Sequence, residues 1–233
     1  EMVDVEQSKP LATIREAVRV IREISSGENL EMKGEIFNIS GAKLGFRLVS
    51  KIPIFVGAQG PKMLMLAAEI GDGVLINASS PKDVENALTF VKEGAAKAGK
   101  RVNELTISAY TSFSVAKETE KAVKAVIPVV AYIVAGCPEM ILQRHGVSVE
   151  AAAQIREAII RGKWKDAFSM VTDEMVDASS ICGTPEIVTE KISDLIKLEV
   201  TQIVAGSPIG PNIRKSINMI AAEVFPQFKE MRQ

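Results

Sequence analysis

Ile52-Pro53-Ile54-Phe55-Val56-Gly57-Ala58 decides how this chain is read. It is a short run, apolar on both faces, and Gln59-Gly60-Pro61 and a helix-forming stretch from Lys62 to Ile70 follow it directly. The same grammar recurs. Gly73 to Ala78 (GVLINA) leads through Ser-Ser-Pro into Lys82–Ala98, and Leu105 to Ser112 (LTISAYTS) leads into helices through Ala131. Thr201 to Ala205 (TQIVA) leads through Gly-Ser-Pro-Ile-Gly-Pro into a last helix from Asn212. Strands without polar alternation, each followed by a helix, indicate a parallel sheet covered on both sides. Four such units of one style predict an α/β fold of the (β/α)8 TIM-barrel type, in which the loops after the strands carry the chemistry. Four strands are half of such a barrel. The expectation is a single domain over 1–233 that forms the C-terminal part of a barrel, the N-terminal strands being missing from this chain.

Working outward, Leu11, Ile14, Val18, Ile21 and Ile24 mark an amphipathic helix that Gly27 stops. Residues 28–50 alternate loosely around Gly34, Gly41 and Gly45 and predict a small antiparallel insertion. Residues 138–181 predict a helical insertion before the last strand. The apolar stretch Val126–Val134 reads equally as a buried barrel helix or an oligomer interface. It is far shorter than the roughly 18 residues of a membrane span.

Composition narrows the function. The 233 residues are 47% hydrophobic and 24% charged, an ordinary globular balance. Lys plus Arg number 28 against 29 Asp plus Glu, which argues against a nucleic-acid binder and against a polybasic membrane anchor. The acidic opening Glu-Met-Val-Asp-Val-Glu-Gln has none of the character of a signal peptide. Two cysteines, Cys137 and Cys182, give no disulfide framework and no zinc spacing, and neither has a basic sequence neighbour to activate it. The expectation is a cytoplasmic protein without a metal. The one histidine, His145, precedes Gly146 at a helix end, where the dipole favours a cation. Asp173, Glu174 and Asp177 read as a solvated helix face. Thr184-Pro185-Glu186 reads as a helix start.

The candidate binding residues lie in the loops after the strands. Gly57, Ala58, Gln59, Gly60 and Pro61 join a strand end to a helix start. Glycines there let a phosphate or a ring approach the backbone, and Pro61 suits the first helical position. The turn lacks the P-loop and dinucleotide patterns, and a plain tight turn explains it as well. Asn77, a polar residue ending an apolar strand before Ala78, either caps the next turn or meets a ligand. Ser80 is the expected cap of the following helix. No catalytic residue is identifiable.

The stretches Lys51–Leu64 and Ala67–Ser79 resemble the luciferase-like monooxygenase superfamily and, within it, the coenzyme F420-dependent methylenetetrahydromethanopterin reductases of methanogenic archaea. Glu35-Ile36-Phe37, Gly41–Leu44, Gln143-Arg144-His145-Gly146 and Val200–Pro211 resemble the same family. The resemblance runs along nearly the whole chain but covers only about the last two-thirds of the family's length. It implies a luciferase-like TIM barrel and hydride transfer from C5 of the reduced 8-hydroxy-5-deazaflavin to methylenetetrahydromethanopterin, giving methyltetrahydromethanopterin, without metal or nucleophile. It also implies a homodimer or homotetramer. On that resemblance, Gly57–Pro61 becomes a backbone cradle for the coenzyme's phosphate or ribityl chain, and Asn77 and Ala78 contact the same coenzyme. Ser207–Gly210 would close the pocket. Two alternatives stand beside it: another flavin- or F420-dependent oxidoreductase of the superfamily, or a non-catalytic half-barrel interaction subunit.

Overall fold

The computed structural model describes residues 8–232, so the acidic opening lies outside the described residues. The fold is α/β with a parallel sheet. Its elements in chain order begin with α1 (Pro10–Ser25), β1 (Leu30–Lys33), β2 (Asn38–Ala42), β3 (Phe55–Ala58), α2 (Pro61–Ile70), β4 (Gly73–Asn77), α3 (Pro81–Lys97) and β5 (Thr106–Val115). Then come α4 (Thr119–Gly136), α5 (Glu139–Arg144), α6 (Val149–Ile160), α7 (Trp164–Ser169), α8 (Asp173–Ser179), β6 (Ser180–Gly183), α9 (Pro185–Ile196), β7 (Gln202–Ile209) and α10 (Ile213–Met219). Strands β3 to β7 form one sheet in the order β3-β4-β5-β6, with β7 also paired to β5.

Five strands stand where the sequence predicted four. The addition is β6, Ser-Ile-Cys-Gly, which pairs in parallel with β5 in the register Ser112↔Ser180 to Val115↔Gly183. Four residues with only two hydrophobic members carry too little periodicity to announce a strand, and burial of all four decides it. The helical insertion therefore ends at Ser179 and precedes the penultimate strand. Two strands also run further than expected. β5 continues past Ser112 to Val115, and Ser207 to Ile209, expected as a loop, belongs to β7, which re-pairs with β5 as Phe113↔Pro208 and Ser114↔Ile209 after a shift in register. A ten-residue β5 supplies partner carbonyls and amides well beyond the point where apolar patterning stops.

By packing, the chain divides into two compact units, residues 1–75 with 87–106 and residues 76–86 with 107–233. In the first, β1 and β2 pair antiparallel as predicted. The Glu16 carboxylate on α1 holds their connecting loop by accepting the backbone N–H groups of Glu35 (2.7 Å), Ile36 (3.0 Å) and Phe37 (2.9 Å). Gly34 leaves room beneath it: a Cβ there would sit 2.7 Å from the Glu16 carboxyl carbon and push that side chain aside. The Phe37 amide foremost, with those of Ile36 and Glu35, holds this carboxyl below the usual glutamate range. A depressed folded-state value means the clamp is complete above the ordinary glutamate range and is lost as pH falls through the depressed value. The protection factors of amides 35–37, taken relative to intrinsic exchange at each pH, should therefore fall on strong acidification. Glu16→Ala should produce the same loss of protection at neutral pH; unchanged protection in that variant would remove the clamp.

The end of α2 is held by two charged groups. Lys100 Nζ donates to the carbonyls of Ala68, Glu69 and Gly71 at 3.2, 2.8 and 2.9 Å, satisfying acceptors that a helix terminus leaves open. Asp72 accepts the Ile54 N–H at 2.9 Å and pairs with Arg22 and Lys51, so that charged side chains fix the entry into β3.

In the second unit α4 supplies the core. Ala122, Val126, Val130, Ala131 and Val134 are buried, packed with Ile155 of α6, Met175 and Val176 of α8, and Cys182 of β6. The apolar stretch Val126–Val134 thus has a buried face within its own chain. Burying a Val or Ile side chain there contributes about 1.5–3 kcal/mol. Ser114 Oγ donates to Ala122 O at 2.7 Å and Ser180 Oγ to Val176 O at 2.7 Å, so these buried hydroxyls are satisfied.

Candidate functional site

In the first unit Gly57 and Ala58 end β3, Gln59 follows, and Gly60 occupies the N-cap of α2 with extended backbone, followed by Pro61 at the predicted first helical position. Gly57, Gln59 and Gly60 are exposed, whereas Ala58 is buried and offers a ligand only its backbone. A Cβ built on Gly57 or Gly60 meets nothing among the described residues within 4 Å. The absent side chains therefore serve no packing within the unit, and the space they leave is open. A hollow of about 860 Å³ borders the turn, lined by Gly60, Pro61, Lys62 and Met63 on one side and by Lys9 to Ala12 and Glu35 on the other. Lys9 and Glu35, both in its lining, pair with each other at 2.6 Å.

In the second unit the exit of β4 is organised by hydroxyls. Ser79 Oγ donates to Ser179 O at 3.1 Å, and Ser80 Oγ accepts the Lys82 N–H at 3.3 Å, the predicted cap. Ala78 is buried, its N–H donating to Tyr110 O at 3.2 Å. Asn77 is exposed, and no hydrogen bond among the described residues engages its side chain. Of its two readings, capping is thus taken by Ser80, and Asn77 is left available at the strand end.

His145 caps the C-terminus of α5, as its sequence position predicted, but its partner did not follow from the sequence. His145 Nε2 lies 2.8 Å from Asp83 Oδ2, and Arg144 donates to Asp83 Oδ1 at 2.6 Å and to Asn86 Oδ1 at 2.8 Å. Burial alone would push the Asp83 carboxyl up; the hydrogen bonds from His145 and Arg144 outweigh it and hold the carboxyl below the ordinary aspartate range. The knot docks α5 on the first turn of α3, directly after Asn77–Ser80. Asp83→Asn should lower stability by about 2 kcal/mol at neutral pH, the scale of a charge-assisted hydrogen bond lost at a mostly buried site. That difference should vanish as pH falls through the depressed Asp83 value, because the wild-type carboxylate is itself protonated there. Parallel denaturation curves against pH check both points.

The remaining candidates are accounted for structurally. Burial pushes the Cys137 and Cys182 thiols up, away from the thiolate form that reactivity needs. Asp173, Glu174 and Asp177 are exposed on α8. Thr184 stands at the N-cap of α9, but its hydroxyl donates to Glu186 at 2.6 Å instead of capping the backbone. No group of three metal-ligating side chains forms, and no helix is long and apolar enough to cross a membrane, among the described residues.

Comparison with known proteins agrees with this architecture. Residues 1–202 match the luciferase-like monooxygenase family. The 5,10-methylenetetrahydromethanopterin reductase of Archaeoglobus fulgidus is 51% identical over 98% of this chain and 70% of its own length. The enzyme of that name from Methanopyrus kandleri is 45% identical over 95% of this chain and 64% of its own. The solved structure of the coenzyme F420-dependent tetrahydromethanopterin reductase from Methanopyrus kandleri superposes with a TM-score of 0.91 at 44% identity, over 96% of this chain and 65% of that one. An F420-dependent secondary alcohol dehydrogenase shares the fold at a TM-score of 0.75 and 20% identity. This chain thus spans about two thirds of the length of its relatives. It belongs to the luciferase-like monooxygenase family and, within it, groups with the 5,10-methylenetetrahydromethanopterin reductases.

Proposed function

We propose that this protein is a coenzyme F420-dependent reductase that converts methylenetetrahydromethanopterin to methyltetrahydromethanopterin in methanogenesis. The observation that carries the reading is 45–51% identity along nearly the whole chain to enzymes named for this reaction. The turn's geometry suits the coenzyme. Gly57 and Gly60 leave bare, open backbone where a phosphate or ribityl chain could approach, and Gln59 is exposed between them. Gly57, Ala58, Gln59, Gly60 and Pro61 are assigned to the coenzyme through their backbone, with the free amides at the start of α2 facing its negative charge. Asn77 and Ala78 are assigned to it as well.

When bound, the coenzyme supplies the hydride. The chain's own contribution is to bind and orient both ring systems and to exclude water, work that calls for no protein nucleophile and no metal. The family match and the parallel sheet support the finer architecture, a one-domain eight-stranded barrel of the luciferase-like type. Two free thiols suit a reducing compartment, and we place the protein in the cytoplasm. The exposed rings of Tyr132 and Trp164, 5.9 Å apart, are apolar surface that a homodimer or homotetramer would cover. Titration with oxidised F420, followed by quenching of its fluorescence, tests the reading. Saturable binding together with F420-linked reduction of the pterin is the expected result. Binding of FMN instead would move the protein to another branch of the family, and binding of neither would overturn the reading.

A further inference from the structure

Strand β5 carries six hydroxyl side chains, and three of them are used inside the protein. Ser108 Oγ donates to Gln202 Oε1 at 2.9 Å, Thr111 Oγ1 to Val204 O at 3.3 Å and Ser114 Oγ to Ala122 O at 2.7 Å. Tyr110 differs. It is 40% exposed while Ala109 and Thr111 on either side are wholly buried, and no hydrogen bond among the described residues engages its phenol.

That phenol is nevertheless held in place. A Cβ built on Gly206 of β7 would lie 2.9 Å from both Cζ and Oη of Tyr110. The ring tip therefore rests against the bare Cα of Gly206, and a larger residue at 206 would press on it as well as on the Thr111 carbonyl, 2.6 Å from the same point. Its level along the sheet is fixed too, because Ala78 N–H donates to Tyr110 O, which sets Tyr110 beside the carboxyl end of β4, where Asn77 and Ala78 sit. Ligands of parallel α/β sheets bind at the carboxyl ends of the strands. A buried tyrosine ordinarily finds a partner for its hydroxyl. Tyr110 is half-exposed and no described residue takes its hydroxyl, which stays open to a ligand.

We propose that Tyr110 contacts the bound ligand, its hydroxyl hydrogen-bonding a planar heterocycle that bears ring carbonyls and ring nitrogens, and that Gly206 is the positioning residue that sets the phenol. This rests on the function proposed above, in which two such heterocycles occur, the deazaflavin and the pterin.

The test titrates wild type and Tyr110→Phe separately with oxidised F420, by fluorescence quenching, and with tetrahydromethanopterin, by calorimetry. Thermal midpoints are measured alongside. The expected result is a loss of affinity for one of the two ligands of about fivefold to tenfold, the value of one neutral hydrogen bond, with the midpoint unchanged. The ligand whose affinity falls is the partner. Gly206→Ala should weaken the same ligand by displacing the phenol. Should Tyr110→Phe bind both ligands as wild type does, the assignment of Tyr110 is overturned while the proposed function stands. Should wild type bind neither ligand, both fall together.

Discussion

Gly57→Val should reduce F420 affinity at least about a hundredfold, some 3 kcal/mol, while leaving the fold as stable as wild type or slightly more so. The two halves of this expectation have separate causes. Gly57 lies in β3 with ordinary backbone, and a Cβ there meets nothing among the described residues. Glycine weakens a strand, and valine is among the residues that suit one. Taken alone, the fold therefore gives no reason for glycine at this position. Close approach of a coenzyme to the backbone gives one, because the isopropyl group would occupy the space the ligand needs. Thermal denaturation and fluorescence titration on the same sample decide it. Binding that survives in a stable Gly57→Val variant would remove Gly57 from the cradle and return the turn to a plain tight turn.

The second large effect has the opposite sign to a helix-propensity argument. Gly94 lies within α3, where replacing glycine by alanine ordinarily gains about 1 kcal/mol. The backbone of Met65 on α2 lies directly against it, with the carbonyl carbon and Cα of Met65 both 2.7 Å from where a Cβ would be. Backbone cannot swing aside as a side chain can, so the helices must separate. Overpacking of this kind costs about 1–3 kcal/mol and occasionally more. Since every near contact is main chain, Gly94→Ala should fall at the upper end of that range and lower stability by a net 2 kcal/mol or so, after the propensity gain is deducted. Urea denaturation measures it. An increase in stability would mean that α2 and α3 are not in contact at this point.

These cases show how the site divides between local and long-range information. The Gly57–Pro61 turn was legible because each requirement is local: a glycine-bearing strand end, an N-cap and a proline at the first helical position all fall within five residues. The Ser80 cap was legible for the same reason. Asn77 was half legible. Its place at a strand end was clear, but that its side chain engages no described residue while Ser80 caps the helix is seen only in the structure. Asp83, Glu16 and Tyr110 were not legible. Asp83 meets residues 61 and 62 positions away, Glu16 meets amides 19 to 21 positions away, and Tyr110 depends on a glycine in another strand.

The sequence by itself determined the α/β class, the alternation of buried strands with helices, the antiparallel insertion and the family. Those depend on periodicity and turn chemistry, which repeat at short range, and on motifs long enough to be specific. Only the tertiary structure decided that Ser180–Gly183 is a strand, that β5 and β7 run on through what read as loops, and which polar groups stay unsatisfied. Strand pairing joins residues about seventy to a hundred positions apart through backbone amides and carbonyls, groups that every residue carries alike, so no local pattern of side chains encodes the partner.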